Sequence, residues 1–116
     1  MRISFDFDNT LSTLPMQKIA RKFIKSGFEV HITTSRLEHM DGLQFSNDDL
    51  FAISDEIGIE RKHIKFTNYE EKYSFVKNFQ FHFDDDQNEI DLINEFPGKC
   101  IGFLYQPKSN NQQANF

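Results

Sequence analysis

The sequence predicts an α/β protein: a three-layer α/β/α arrangement around a five-stranded, mostly parallel sheet. Three observations carry that prediction. Apolar periodicity switches repeatedly between strand-like and helix-like stretches. The helix-like stretches stop at turn signals, at Gly27, at Gly58 and before Pro97-Gly98. A chain of 116 residues with 14 Phe can bury about two thirds of its unfolded surface around one core, large rings contributing most per residue.

The elements follow in order. Residues 2–7 form a short β-prone run, and residues 14–26 a helix with Ile19, Phe23 and Ile24 on one side, closed by Gly27. Residues 28–33 read as the second strand. After a loop over 36–45, Ser46-Asn47-Asp48-Asp49 supplies a cap and an acidic first turn for a helix bearing Leu50, Phe51, Ile53 and Ile57, which stops at Gly58. Residues 63–67 make a third strand, 69–78 a third helix, and 79–83 a fourth strand ending in Asp84-Asp85-Asp86. A short helix over 89–96 and a fifth strand over 99–105 complete one domain, residues 1–107. Residues 108–116, with three Asn, two Gln and almost nothing apolar, read as a frayed tail.

Composition narrows the function. A formal net charge of -5 and a pI near 5.3 argue against holding nucleic acid through a whole-surface field, leaving nucleic acid as a partner only in the role of substrate. The single cysteine, Cys100, forms no intramolecular disulfide and reads as a small core residue. The first residues show no signal-peptide pattern, and no run approaches the roughly 20 apolar residues of a membrane span. A cytoplasmic address and no membrane partner are expected.

The chemistry gathers at strand ends. In an open parallel sheet the ligand crevice lies outside the carboxyl ends of the strands. These ends carry Asp6 and Asp8 after the first strand, Thr33, Thr34, Ser35 and Arg36 after the second, and Asp84, Asp85 and Asp86 after the fourth. Two carboxylates about 4 Å apart repel by roughly 4 kcal/mol at an effective dielectric of 20, so the cluster requires a cation or protons. All-oxygen ligation with room for water and phosphate suits Mg²⁺. A carboxylate beside such an ion is a nucleophile toward phosphorus, which assigns phosphoryl transfer.

Asp6-Phe7-Asp8-Asn9-Thr10-Leu11 resembles the first motif, Asp-x-Asp-x-Thr, of the haloacid dehalogenase-like (HAD) hydrolase superfamily. Ile32-Thr33-Thr34-Ser35-Arg36 is similar to the second motif, with Thr34 the best match and Thr33 its rival. Lys72, 12 residues before Asp84, looks like the third-motif lysine, ahead of Lys65 and Lys77. Phe83-Asp84-Asp85 resembles the paired-aspartate fourth motif. The resemblance covers residues 2–105 and implies a Rossmann-like core and a phosphatase.

It also implies roles. Asp6 attacks phosphorus and becomes phosphorylated. Asp8 protonates the leaving oxygen and then deprotonates water, its acidity weakened by neighbouring carboxylates. Thr34 donates to a phosphoryl oxygen, and Lys72 pairs with that group and Asp6. Asp6, Asp85 and the Asp8 backbone carbonyl bind Mg²⁺, with Asp84 acting directly or through water. Ser35 and Arg36 are expected at the substrate, where Arg36 suits a phosphate or carboxylate. Which of Asp84, Asp85 and Asp86 touch the ion stays open; Asp86 and Asp91 also read as helix-start and surface residues.

Other features have plainer readings. Lys18, Arg21, Lys22 and Lys25 recur at helical spacing opposite Ile19 and Phe23, as a solvated face or an anchor for a polyanion. His31 and His82 lie inside strands with no His or Cys at metal spacing, and read as packed or hydrogen-bonded. Neither residues 12–27 nor residues 37–62 have room for a cap domain, so the chain resembles the capless type. That type takes large substrates such as nucleic-acid ends or phosphoproteins, or completes its site by homo-oligomerisation. The loop over 36–45, with His39 and Met40, is the flap candidate. The alternatives are a receiver-like phosphoacceptor, which Thr67-Asn68 after the third strand disfavours, and an idle HAD-like binding protein.

Overall fold

Strand and helix alternate along the chain in the computed structural model, which describes residues 1–39 and 46–107. The strands are β1 (Arg2–Phe5), β2 (Glu29–Thr34), β3 (Ile64–Phe66), β4 (Phe81–Asp84) and β5 (Ile101–Leu104). The helices are α1 (Leu14–Lys25), α2 (Asp48–Ile57), α3 (Tyr73–Val76) and α4 (Gln87–Glu95). All pairings are parallel, in the order β3-β2-β1-β4-β5. The fold is the expected Rossmann-like α/β sheet, parallel throughout. No helix among the described residues is long and apolar enough to cross a membrane.

The two faces of the sheet differ because side chains alternate along a strand. Ile3 and Phe5 stand level with Val30 and Ile32 on one side and with Phe81 and Phe83 on the other. These residues share the larger core with Met16 and Ala20 of α1 and with Leu50 and Ile57 of α2. On the opposite face a smaller core of Val76, Phe79, Ile93 and Cys100 packs with Tyr73. Between this core and the site, the sheet is polar yet sealed: Ser4, Thr33, His82 and Asp84 are all buried. The Ser4 hydroxyl lies 2.7 Å from Thr33 Oγ1 and 3.0 Å from His82 Nδ1.

Several boundaries differ from expectation. α1 turns Met16 and Ala20 inward, and Ile19 is 37% exposed; the buried stripe runs through 16, 20 and 23–24, one row away from Ile19. Lys18, Arg21, Lys22 and Lys25 are exposed. β1 stops at Phe5, because residues Phe7–Leu11 wrap into a wide turn, closed by the Leu11 and Ser12 N–H groups donating to the Asp6 and Phe7 carbonyls, with Asn9 at φ 59°. β2 starts and ends one residue later than expected, placing Thr34 inside it. The third helix shrinks from 69–78 to Tyr73–Val76. Asn68 and Tyr69 have φ of 55° and 69°, and their N–H groups donate to the carbonyls of Arg36 and Ser35. That tie holds residues 67–71 in a loop. Asn47 precedes α2 without capping it by its side chain; its amide donates instead to the carbonyls of Leu37 and Glu38. Gly27 and Gly58, at φ 91° and 97°, end α1 and α2 as expected. The tail over 108–116 and positions 40–45 of the flap candidate lie outside the described residues.

Ser4→Ala is expected to leave the Thr33 hydroxyl and His82 Nδ1 short of a buried partner, at a cost of about 1–3 kcal/mol. A urea titration checks it through a lower midpoint at unchanged slope. An unshifted midpoint would show that this buried chain adds nothing to stability.

Candidate active site

At the carboxyl end of β1, Asp6 continues the ladder by donating its N–H to the Phe83 carbonyl at 2.8 Å. Its side chain lies on the polar face and is nearly closed off, with the residue 4% exposed. The turn that follows brings Thr10 back over it, and the Thr10 hydroxyl donates to Asp6 Oδ2 at 3.2 Å. Lys72 reaches the same point from the loop before α3. Its ammonium donates to Asp6 Oδ1 and to Asp84 Oδ2, each at 2.7 Å, and the residue is 3% exposed. Lys65 and Lys77 are exposed, so Lys72 is the lysine among the three that meets the aspartates.

Asp84, the last residue of β4, has both oxygens engaged. Oδ2 faces Lys72 and also His82 Nε2 at 2.8 Å, while Oδ1 accepts from the N–H of Asp86 at 3.1 Å. Asp85 stands beside them. Asp6, Asp84 and Asp85 each bring one carboxylate oxygen within 4.8 Å of the others. This donor set is all oxygen and anionic, the type that hard divalent cations accept, so Mg²⁺ fits it. Asp84 has three protein partners and Asp6 one on each oxygen, so Asp85 is the least committed of the three. Asp86 instead caps α4, accepting from the N–H of Asn88.

The electrostatics separate these carboxyls. Burial, reinforced by the charge of Asp84 and opposed by Lys72, pushes Asp6 up to about 8. Burial also works against ionisation of Asp84, but the hydrogen bond from His82 and the charge of Lys72 outweigh it and hold the group down at about 2. Lys72 is held above its usual value, burial being outweighed by Asp6 and Asp84. His82, fully enclosed, is lowered by burial. Burial raises Glu89, whose Oε2 accepts from the Lys72 N–H at 3.1 Å.

Asp8 departs from the expectation of a crowded carboxylate. Its side chain points away from the buried cluster and pairs with Arg36, with Nε to Oδ2 at 3.0 Å and Nη2 to Oδ1 at 2.7 Å. Arg36 also grips Asp49 at the start of α2, through contacts of 2.8 and 2.9 Å, and lies 5.0 Å over the Phe7 ring. These hydrogen bonds raise Arg36 further above its already high value. The carboxylate crowded by like charge is Asp6.

Thr33 and Thr34 are told apart by their partners. Thr33 points to the polar face and meets Ser4, whereas Thr34 ends β2 and its Oγ1 accepts from the Arg36 N–H at 3.3 Å. Both are buried, and Ser35 is exposed at the rim. Ser35, Tyr69, Glu70, Glu71, Lys72, Asp86 and Glu89 line a cleft of about 270 Å³. A second, of about 380 Å³, is lined by Asn9, Asp85, Gln106 and Pro107. The roles of Thr10, Glu89 and Asp49 were not anticipated. Thr10 stood within the first motif, but Asp49 and Glu89 carry no signal beyond helix-start acidity. No protein-family model matches this chain, and no curated protein or solved structure matches it.

The titration of Asp6 makes a signed prediction. With its folded value raised above an ordinary carboxylate near 3.9, the unfolded chain releases this proton first, so the Asp6 contribution to stability falls as pH rises from about 4 to about 8. In EDTA, the melting temperature of Asp6→Asn relative to the unsubstituted protein is therefore expected to rise as the pH goes from 5 to 8. Millimolar Mg²⁺ is expected to raise the melting temperature of the unsubstituted protein at pH 8 and to leave Asp6→Asn unmoved. Parallel melting curves across this pH range, or equal Mg²⁺ shifts, would overturn it.

Proposed function

We propose that this chain is a Mg²⁺-dependent phosphomonoesterase of the HAD type, working through an aspartyl-phosphate. The observation that carries the reading is the Lys72 ammonium, fixed 2.7 Å from Asp6 and from Asp84 with the Asp85 carboxylate alongside. A buried carboxylate, a pre-oriented cation and a hard-metal donor set meet at one strand end, which is the equipment for phosphoryl transfer.

Asp6, giving up its proton when a cation sits beside it, supplies the nucleophilic oxygen. A bond forms from this oxygen to phosphorus as the bond from phosphorus to the ester oxygen breaks, and the departing oxygen takes a proton from Asp8, which takes up that proton from solvent on leaving Arg36. Water then attacks phosphorus, gives a proton to Asp8 and releases phosphate, restoring the Asp6 carboxylate. Asp8 serves only after leaving Arg36, and a substrate phosphate is the competing anion that draws the guanidinium away. Lys72 neutralises charge on the transferring group, held in place by Asp84, which His82 in turn orients. Thr34, Ser35 and Arg36 surround the phosphate from the β2 side. Asp6, Asp85 and the Asp8 carbonyl, with Asp84 behind, would hold Mg²⁺, which would supply the charge that lets two anions meet.

The rim bounds the substrate. Acidic side chains of Glu70, Glu71, Asp86 and Glu89 line the cleft over Lys72, and no cap stands over it among the described residues. The phosphoryl group is thus presented on a carrier that covers the mouth, such as a nucleotide, a nucleic-acid end or a phosphoprotein, or the mouth is closed by a second copy. A receiver-like reading lacks its acceptor, because Thr67 and Asn68 follow β3.

Hydrolysis of an aryl phosphate tests the proposal. Turnover is expected with Mg²⁺, is lost in EDTA, and falls by at least 10³-fold in Asp6→Asn, since an amide is neither nucleophile nor charged ligand. If aryl phosphate is inert, phosphorylated oligonucleotides and phosphopeptides are the next substrates. Turnover near the unsubstituted rate in Asp6→Asn, or no turnover of any of these by folded protein, would overturn the assignment.

A further inference from the structure

A second cluster of metal-ligating side chains lies at the other end of the sheet. Glu29 opens β2, His31 follows on the same face, and His63 closes the Arg61–His63 turn before β3. The register Ile32↔Ile64 sets His63 beside His31 across neighbouring strands. Five residues of strand separate Glu29 from Thr34, roughly 16 Å at about 3.3 Å per residue, so the cluster is distinct from the carboxylates around Lys72.

The geometry converges on one point. The two imidazole rings lie 4.1 Å apart with planes 30° from parallel. His31 Nε2 is 2.5 Å from Glu29 Oε2, and His63 Nε2 is 3.9 Å from Glu29 Oε1, too far for a hydrogen bond. One ligand atom of each residue lies within 4.8 Å of the other two. Tetrahedral zinc, with bonds of about 2.0–2.2 Å, spaces its ligand atoms by roughly 3.3–3.5 Å, so small side-chain rotations close the set without moving either strand.

The surroundings suit an ion. His31 packs edge-on against Phe79 at 4.8 Å, which fixes its ring, while the Glu29 side chain is 46% exposed and leaves the outer side open to water. Arg2 is the nearby positive charge, and it turns aside, its guanidinium 4.6 Å over the Phe79 ring and donating to the Asn78 carbonyl.

We propose that Glu29, His31 and His63 form a binding site for a zinc-class divalent ion, with two imidazole nitrogens and one carboxylate oxygen as ligands and water in the fourth place. Nitrogen donors select zinc, cobalt or nickel, whereas the all-oxygen cluster at Asp6 selects magnesium, so the two sites sort metals by donor type. The ion would tie the edge strand β3, three residues long, to β2.

Calorimetric titration of the untagged, EDTA-treated chain with Zn²⁺ in millimolar Mg²⁺ tests this, with Co²⁺ as a spectroscopic probe. One equivalent of Zn²⁺ is expected to bind, with the same affinity in Asp85→Asn. His63→Ala and Glu29→Gln, each checked for folding by circular dichroism, are expected to weaken it at least tenfold. The intense visible bands of tetrahedral Co²⁺ should vanish in the same two variants. Absence of Zn²⁺ binding, or binding that is lost in Asp85→Asn and kept in both His63→Ala and Glu29→Gln, would overturn the site.

Discussion

The Lys72 ammonium, shared between Asp6 and Asp84 at 2.7 Å and 3% exposed, is the interaction on which the rest of this structure leans. A buried charge is tolerated only when paired and hydrogen-bonded, and this one has a partner at the carboxyl end of each of the neighbouring strands β1 and β4. Removing it would leave two carboxylates facing each other without water. The loop from Thr67 to Lys72 is shaped to deliver it: the Thr67 hydroxyl donates to the Glu70 carbonyl, and Glu89 receives the Lys72 N–H. The shortness of α3 follows from the same need, since a helix begun at Tyr69 would hold these residues in one regular spiral.

Parallel strands covered on both faces usually read as continuous apolar runs. Here β1 and the residue after it alternate, with Ile3 and Phe5 against Ser4 and Asp6, as though one face met water. That face is sealed, and its polar groups satisfy one another: Thr33 with Ser4, Ser4 with His82, His82 with Asp84, Asp84 with Lys72, Lys72 with Asp6. No buried side-chain nitrogen or oxygen among the described residues lacks a partner. A network satisfied throughout is rigid, and it holds the Asp6 carboxylate and the Lys72 ammonium in one fixed arrangement.

The strands and helices were legible because their signals are local. Apolar periodicity named each element, and Gly27 and Gly58 marked two helix ends. The meeting of Asp6, Lys72 and Asp84 was legible from motif order together with the rule that parallel strands point their carboxyl ends to one crevice. What was not legible depends on geometry across the chain. Arg36 grips Asp8 from 28 positions away and Asp49 from 13, and no periodicity carries that choice. Asp8 therefore read as crowded, when Asp6 is the crowded group. His31 looked solitary because spacing along the chain says nothing about the β2–β3 register that sets His63 beside it.

The place of β4 beside β1 also sets when the site comes into being. Ile3 pairs with Phe81, and the contacts from Lys72 to Asp6 and from His82 to Ser4 span 66 and 78 positions. Closing loops of that length is entropically costly before any contact repays it, and non-local pairings of this kind slow folding. The first three strands alone hold Asp6 without Lys72 or Asp84. Asp6 thus comes early in the chain and meets its partners late, so no partly folded or truncated form lacking β4 carries the whole Asp6–Lys72–Asp84 cluster, and assembly of that cluster waits on the pairing of β4 with β1.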